Sequence, residues 1–317
     1  MSGLGLGLGL GLGAHRKVGG AGNKPATFTV TAGDGTKYVR VKVSETTTVT
    51  PAGGTSIRIG SSGEFVTTPL TLAAKTNQNI YFKDAGSFII PKRKLVTYLY
   101  LSSLGSSVIT GDITGMKLTY LFLNFLGSSV ITGDITDMKL TTLVLQDLGS
   151  SVIRGNITGM ELTDLLLNNI GSSIIEGEIT GMELIRLYLR DIGSSLTYGT
   201  NLLNITHNNG IQLLGDTVFA TAAEYEQLFI DAAASTWGNS TTRPLTITGS
   251  GKNFHRDYYD WGTFSATPGA SSPTPSAIAI KSLVKRGTNP VVVTLVGISA
   301  YSYAGGFPEN FENWWAE

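Results

Sequence analysis

The chain contains no cysteine in 317 residues and only three histidines. The first absence excludes a disulfide scaffold and a thiolate metal site. His15, His207 and His255 fall in three distant segments, and no zinc motif, phosphate-binding loop, dinucleotide fingerprint or Gly-x-Ser-x-Gly elbow occurs. Charge is sparse and balanced, with 23 basic and 23 acidic residues, so no bulk field draws the chain to nucleic acid or an anionic membrane. No apolar run approaches the length of a membrane-spanning helix. The first residues lack the basic start, continuous apolar core and cleavage signature of a secretory signal.

Glycine, by contrast, is abundant at 40 residues, and much of it is ordered in a repeat. From Val96 to Leu196 the chain repeats every 22 residues. Leu99, Leu121, Leu143, Leu165 and Leu187 form one column, and Leu101, Leu123, Leu145, Leu167 and Leu189 form a second. Gly105, Gly127, Gly149, Gly171 and Gly193 form a third; Gly111, Gly133, Gly155, Gly177 and Gly199 a fourth. Ile113, Ile135, Ile157 and Ile179 follow two residues after that. A fixed period of this size marks a solenoid. Within one copy, alternation puts Leu121 and Leu123 on one face of a short strand, Gly127-Ser128-Ser129 turns the chain, and Val130, Ile131, Ile135 and Met138 give the return leg apolar residues to bury. One such unit buries too little to offset the entropy of ordering it, so stacked units share their apolar faces and the end coils need caps.

The spacing Leu118-x-x-Leu121-x-Leu123, with the return leg Ile131-Thr132-Gly133-Asp134-Ile135, resembles a leucine-rich repeat of the shorter, bacterial length. Where that family has Asn or Cys, this chain has Leu126, Leu148, Ile170 and Ile192. A parallel β-helix is the alternative fold; the leucine-rich solenoid is favoured because only one segment per turn shows convincing strand alternation.

Five regions are expected: a Gly-Leu segment over 1–22, a β-rich region over 23–75, the solenoid over 76–215, α/β cap units over 216–300 and an aromatic tail over 301–317. Gly3 to Gly13 alternates strictly, which puts Leu4, Leu6, Leu8, Leu10 and Leu12 on one strand face and reads as an assembly anchor; a low-complexity tail is the alternative. Phe28–Val30, Tyr38–Val43 and Ser56–Ile59 alternate as strands between the turns Gly33-Asp34-Gly35 and Ala52-Gly53-Gly54. Ile57, Ile59, Ile80 and Phe82 are candidates for degenerate first coils. After the array, Leu203–Asn208 resembles a last irregular strand. A helix is expected over Thr221–Ala233, with Thr221 and Glu224 as a capping box. Strands at Leu245–Ile247 and Val291–Leu295 flank a second helix over Pro275–Arg286.

No catalytic residue, metal or cofactor is expected, and the chain is read as a non-enzyme. His255, Asp257 and Asp260 touching a metal is one reading of the stretch Phe254–Trp261; an aromatic loop meeting a partner through Tyr258, Tyr259 and Trp261, or packing over the solenoid end, are the others. The acidic column Asp112, Asp134 and Glu178, with Asn156, lacks the oxygen count calcium wants and reads as a solvated face. Asn-x-Thr at Asn156, Asn204 and Asn239 is a glycosylation signal only on a eukaryotic secretory route. The candidate binding face lies between the buried leucines, where Tyr100, Phe122, Val144, Leu166 and Tyr188 point outward beside Tyr98, Tyr120 and Arg186. A row of apolar residues on an outward strand face implies a covered or binding surface. If freely exposed, they can be replaced by Ser with little change in melting temperature. A second candidate contact is the aromatic tail with Phe311, Trp314 and Trp315.

The leader, β-rich collar, solenoid and aromatic end resemble tail-fibre and other surface proteins of phages infecting Bacteroidota. That resemblance implies a virion protein, made in the bacterial cytoplasm and displayed on the virion surface, with host attachment as its role. It would hold other virion proteins through its N-terminus and meet a host glycan or protein as a homo-oligomer such as a trimer, with no nucleic acid and no membrane span. A purely structural virion subunit or a bacterial cell-surface adhesion protein is the alternative.

Overall fold

The computed structural model describes residues 24–179, 181–192, 196–198, 211–214, 222–234, 243–248 and 291–296. Seven strands come first: β1 (Ala26–Ala32), β2 (Asp34–Val43), β3 (Thr47–Ala52), β4 (Ser56–Ile59), β5 (Leu70–Leu72), β6 (Gln78–Lys83) and β7 (Gly86–Ile90). A short 3-10 turn at Arg93–Leu95 leads into the repeats. Their strands are β8 (Val96–Ser102), β9 (Val108–Asp112), β10 (Tyr120–Asn124), β11 (Val130–Asp134), β12 (Thr142–Gln146), β13 (Val152–Asn156), β14 (Asp164–Asn168), β15 (Ile174–Glu176) and β16 (Arg186–Arg190). Next come β17 (Ile211–Leu214), the helix α1 (Ala222–Ala234), β18 (Arg243–Thr248) and β19 (Val291–Val296).

The repeats form a β-solenoid of 22-residue coils. Each full coil carries two strands, where one was expected. β8, β10, β12, β14 and β16 pair in parallel with no slip, Leu121 lying opposite Leu99 and Leu143. β9, β11, β13 and β15 form a second parallel sheet on the return leg. This two-sheet coil fits a parallel β-helix-like solenoid. The second strand escapes a search for alternation because its buried content is a single residue, Ile109, Ile131, Ile153 or Ile175, followed by a glycine in each case two residues on. Val130, expected in the core, is half-exposed, whereas Ile131, Ile135 and Met138 are buried.

Every coil sends the same set inward: Leu118, Leu121, Leu123, Leu126, Ser129, Ile131, Ile135 and Met138 are all buried, with equivalents in the other coils. Leu126 and its equivalents round one corner as core side chains. The polar member sits three residues later. Ile109 N–H donates to Ser129 Oγ at 3.0 Å, and Ser129 Oγ donates to Ser107 O at 3.4 Å. The pattern repeats through Ser151, at 2.8 and 3.2 Å, and through Ser173, at 2.9 and 3.5 Å. A buried hydroxyl thus satisfies backbone groups that the corner withdraws from the ladders.

The opposite corner uses side chains too. Asp112, Asp134 and Asn156 each accept through Oδ1 from the backbone N–H two residues on, at 2.9, 2.8 and 2.7 Å. The threonines there, Thr114, Thr136 and Thr158, accept from the N–H of Asp134, Asn156 and Glu178 in the next coil. The acidic column is therefore a structural turn ladder. At Gly155, with φ +150°, a Cβ would lie 2.6 Å from Ile135 Cγ1, so the column of glycines is set by how closely consecutive coils approach.

The N-terminal region contains no degenerate coils. β6 lies between β2 and β4 and is antiparallel to both, and β7 is antiparallel to β1 and β3. The stretch 76–95, assigned to the solenoid from sequence, thus belongs to this antiparallel region. It continues both solenoid sheets: β2 pairs antiparallel with β8, and β1 with β9. Phe28, Phe82 and Phe88 are fully buried and stacked, with centroids 5.1 and 6.2 Å apart. The first coil has no free strand edge as a result.

Past β16 the same sheet continues in parallel through β17, β18 and β19. α1 buries Leu228 and Ala232, and the Tyr198 hydroxyl donates to buried Asp231 at 2.8 Å. Burial, followed by the charge of Asp231, pushes the Tyr198 phenol far above its ordinary value. Glu224, expected to close a capping box, accepts from Tyr198 N–H at 2.8 Å. The expected strand at Leu203–Asn208, Thr221 and the helix over Pro275–Arg286 lie outside the described residues.

Candidate functional site

Because the leucines of β8 to β16 point inward, the residues between them line one outward face of the long sheet. Sheet order along this face is β4, β6, β2, β8, β10, β12, β14, β16. Tyr98 lies opposite Tyr120, and Tyr100 opposite Phe122. Val144, Leu166 and Tyr188 continue one row, and Thr142, Asp164 and Arg186 the other. All six expected residues, Tyr98, Tyr100, Tyr120, Phe122, Arg186 and Tyr188, share this face.

They are half-buried rather than freely exposed. The rings stack on one another across the strands: Tyr98 on Tyr120 at 4.2 Å and 10°, Tyr100 on Phe122 at 4.6 Å and 18°. Val144, the next member of the row, is only 1% exposed. Stacked in this way, each ring gives much of its face to a neighbour and keeps its edge for solvent. Burial, then the neighbouring Tyr98 hydroxyl and Asp164 carboxylate, push the Tyr120 phenol up to about 12, so it stays a protonated donor near neutral pH. Arg186 pairs with Asp164 at 2.6 Å.

Stacking changes the stability expected of these residues. An aromatic pair adds about 0.5–1.5 kcal/mol beyond its buried area. Replacing Tyr100, Phe122 and Tyr188 together by Ser is therefore expected to lower the melting temperature by several degrees in a scanning calorimeter while the chain still folds. An unchanged melting temperature would show that the stacks contribute nothing.

The face extends onto the N-terminal strands, and sequence reasoning missed this part. Arg40 lies 5.2 Å from the Tyr100 ring centroid and 5.4 Å from that of Tyr38. Lys42 Nζ lies 5.7 Å from the Tyr98 ring. Arg58 sits between Phe65 at 4.6 Å and Tyr81 at 5.0 Å. The signal was present in Tyr38-Val39-Arg40-Val41-Lys42-Val43, whose odd and even members separate cleanly. What joins it to the repeat is the antiparallel register Arg40 to Tyr100 and Lys42 to Tyr98, which no local pattern carries.

One corner carries an aromatic that is exposed. Phe125 is 51% exposed with φ +47°, in a column where Ser103, Asp147, Asn169 and Asp191 share that left-handed conformation. Asn and Asp tolerate it and a bulky residue rarely adopts it. The expected C-terminal contacts Tyr258, Tyr259, Trp261, Phe311, Trp314 and Trp315, the His255 cluster and Gly3 to Gly13 lie outside the described residues. Among the described residues no group of three or more His, Asp or Glu side chains is placed to hold a metal. No helix among them is long and apolar enough to cross a membrane.

Comparison with protein-family models, with curated proteins and with solved structures finds no match to this chain.

Proposed function

We propose that this is a non-enzymatic recognition protein of the tail-fibre or receptor-binding type, displayed on the surface of a phage that infects Bacteroidota. Its solenoid presents the aromatic face of the long sheet to a host-surface glycan or protein. The observation that carries this reading is the outward row of Tyr, Phe, Arg and Lys side chains across the neighbouring strands β2, β8 and β10. Tyr, Trp and Arg dominate the energetics of protein recognition surfaces. Within this reading the coil is a relative of the leucine-rich repeats, supported by the Leu118-x-x-Leu121-x-Leu123 spacing, and α1 with β18 and β19 forms part of an α/β ending. The N-terminal Gly-Leu segment holds the virion, and the chain assembles as a homo-oligomer.

A purely structural subunit is the second reading, favoured by the ring stacking that already half-buries the face. Labelled full-length protein mixed with a panel of Bacteroidota strains separates the two. Recognition requires saturable binding to some strains, weakened at least tenfold by Tyr100→Ser with Phe122→Ser. Folded protein that saturates on no strain overturns it.

A further inference from the structure

We infer that the N-terminal half of this face binds an acidic polysaccharide whose anionic groups recur on alternate sugars. The inference rests on the recognition reading above and names the ligand class of the same face. Three cations define it. Arg58 on β4 and Arg40 and Lys42 on β2 each lie against aromatic rings. The ion pairs formed among the described residues use Arg93, Arg186 and Arg190, so none of the three has a carboxylate at salt-bridge distance there.

The two guanidinium groups, of Arg40 and Arg58, are held in place. Arg40 Nε donates to Asn79 Oδ1 at 2.7 Å and Nη2 to Tyr38 Oη at 3.3 Å, leaving Nη1 without such a partner among the described residues. Arg58 Nη1 donates to Gly63 O at 3.3 Å, while its Nε is buried with no hydrogen-bond partner among the described residues. A cation fixed between rings, partly desolvated and lacking a counter-ion, is preorganised for an anion. The chain as a whole carries no net charge, so the local excess is specific to this part of the face.

The geometry of the rings separates a glycan from a single-stranded nucleic acid. Base stacking needs free aromatic faces. Here Tyr98 and Tyr120 close on each other at 4.2 Å, and Tyr100 on Phe122 at 4.6 Å, with Lys42 and Arg40 against the far sides. What remains outward is a fringe of tyrosine hydroxyls and amides, including those of Tyr81 and Asn79, both half-buried. Such a fringe suits sugar hydroxyls. Neighbouring strands are about 4.8 Å apart, close to the advance of one pyranose unit in an extended chain. β4 and β2 are separated only by β6, and Arg58 lies opposite Tyr81 where Arg40 lies opposite Asn79, so the two arginines stand about 10 Å apart across the sheet and about 12 Å apart in all, near the length of two sugar units.

Titration calorimetry of the full-length chain with hyaluronate oligosaccharides tests this, because their carboxylates fall on every second sugar. Expected are saturable binding that weakens as salt rises, at least tenfold loss with carboxyl-reduced hyaluronate, and at least tenfold loss in each of Arg40→Gln and Arg58→Gln. Lys139→Gln, an exposed change at a coil corner, should leave it unchanged. Circular dichroism of each variant confirms folding, and Lys42→Gln serves if either arginine variant fails to fold. Equal binding to the reduced glycan, tighter binding to oligo-dT, or no binding of hyaluronate overturns the inference. Cell binding that survives Arg40→Gln and Arg58→Gln but falls with Tyr100→Ser and Phe122→Ser leaves the recognition reading standing alone; loss of all saturable cell binding removes both.

Discussion

Ser151→Ala is expected to lower the unfolding free energy by about 2–4 kcal/mol, whereas Ser150→Ala, one residue away, should change it by less than about 0.5 kcal/mol. Ser151 is fully buried; Ser150 is exposed. The Ser151 hydroxyl accepts from Ile131 N–H at 2.8 Å and donates to Ser129 O at 3.2 Å. Alanine removes both bonds and leaves a buried donor and a buried acceptor without that partner. Each such group costs about 1–3 kcal/mol, far more than a satisfied bond contributes on average. The same ladder continues above and below, so the loss is felt by three coils at once. Urea unfolding followed by circular dichroism measures the difference. Equal effects of the two substitutions would mean that water enters the corner and replaces the hydroxyl.

That ladder shows why only part of the fold is legible in the amino-acid sequence. The 22-residue period and the inward leucines follow from alternation, and the strand register confirms their placement residue by residue. Gly-Ser-Ser reads locally as a turn with two equivalent small polar residues. Nothing in its composition says that one serine, Ser129, is buried and the other, Ser128, is exposed. The difference arises from where the neighbouring coil's backbone lies 22 residues away. The second strand was hidden for a related reason: its regularity comes from pairing with the coils on either side. A sheet stabilised by neighbours needs little amphipathicity of its own.

The candidate face shows the same division. Its solenoid half was visible because Tyr98, Tyr100, Tyr120 and Phe122 recur at the repeat spacing. Its N-terminal half was not, since Arg40 and Tyr100 are 60 residues apart and meet only through an antiparallel register. The half-burial of the rings also required the structure. Outward direction follows from alternation, but stacking at 4.2 Å follows from two aromatic residues sharing one register position. Leucine at the position of Leu126 is explained in the same terms. The corner is lined by apolar side chains, and the polar satisfaction found three residues later at Ser129 makes an amide there unnecessary.

Gly111→Val is expected to open the junction between the N-terminal strands and the coil stack. Its Cβ would lie 2.8 Å from Cδ1 and 3.1 Å from Cε1 of Phe28. Phe28 is fully buried and stacked on Phe88 at 5.1 Å, with little room to retreat. Overpacking of this kind costs about 1–3 kcal/mol, and here it acts on the strand pair β1 and β9 that closes one sheet. The junction is also held by Arg93, whose Nε and Nη2 donate to Pro25 O at 3.1 and 2.9 Å and whose Nη1 meets Asp112 Oδ2 at 3.1 Å and Thr114 O at 2.6 Å. Burial raises the Asp112 carboxyl, but hydrogen bonds from Thr114 and Arg93 outweigh it and hold the group below the usual carboxylate range. A lowered folded-state value means this contribution is present above the unfolded pKa and is lost as pH falls through the folded one. Gly111→Val should therefore expose the unpaired edges of β8 and β9, which are templates for intermolecular pairing. Light scattering against protein concentration is expected to show self-association that grows on acidification, with Gly155→Ala, one coil further from the junction and pressed on Ile135 and Thr136, giving a stability loss without the same acid dependence. A variant that stays as dispersed as the parent at every pH would show that the coils do not need this cap.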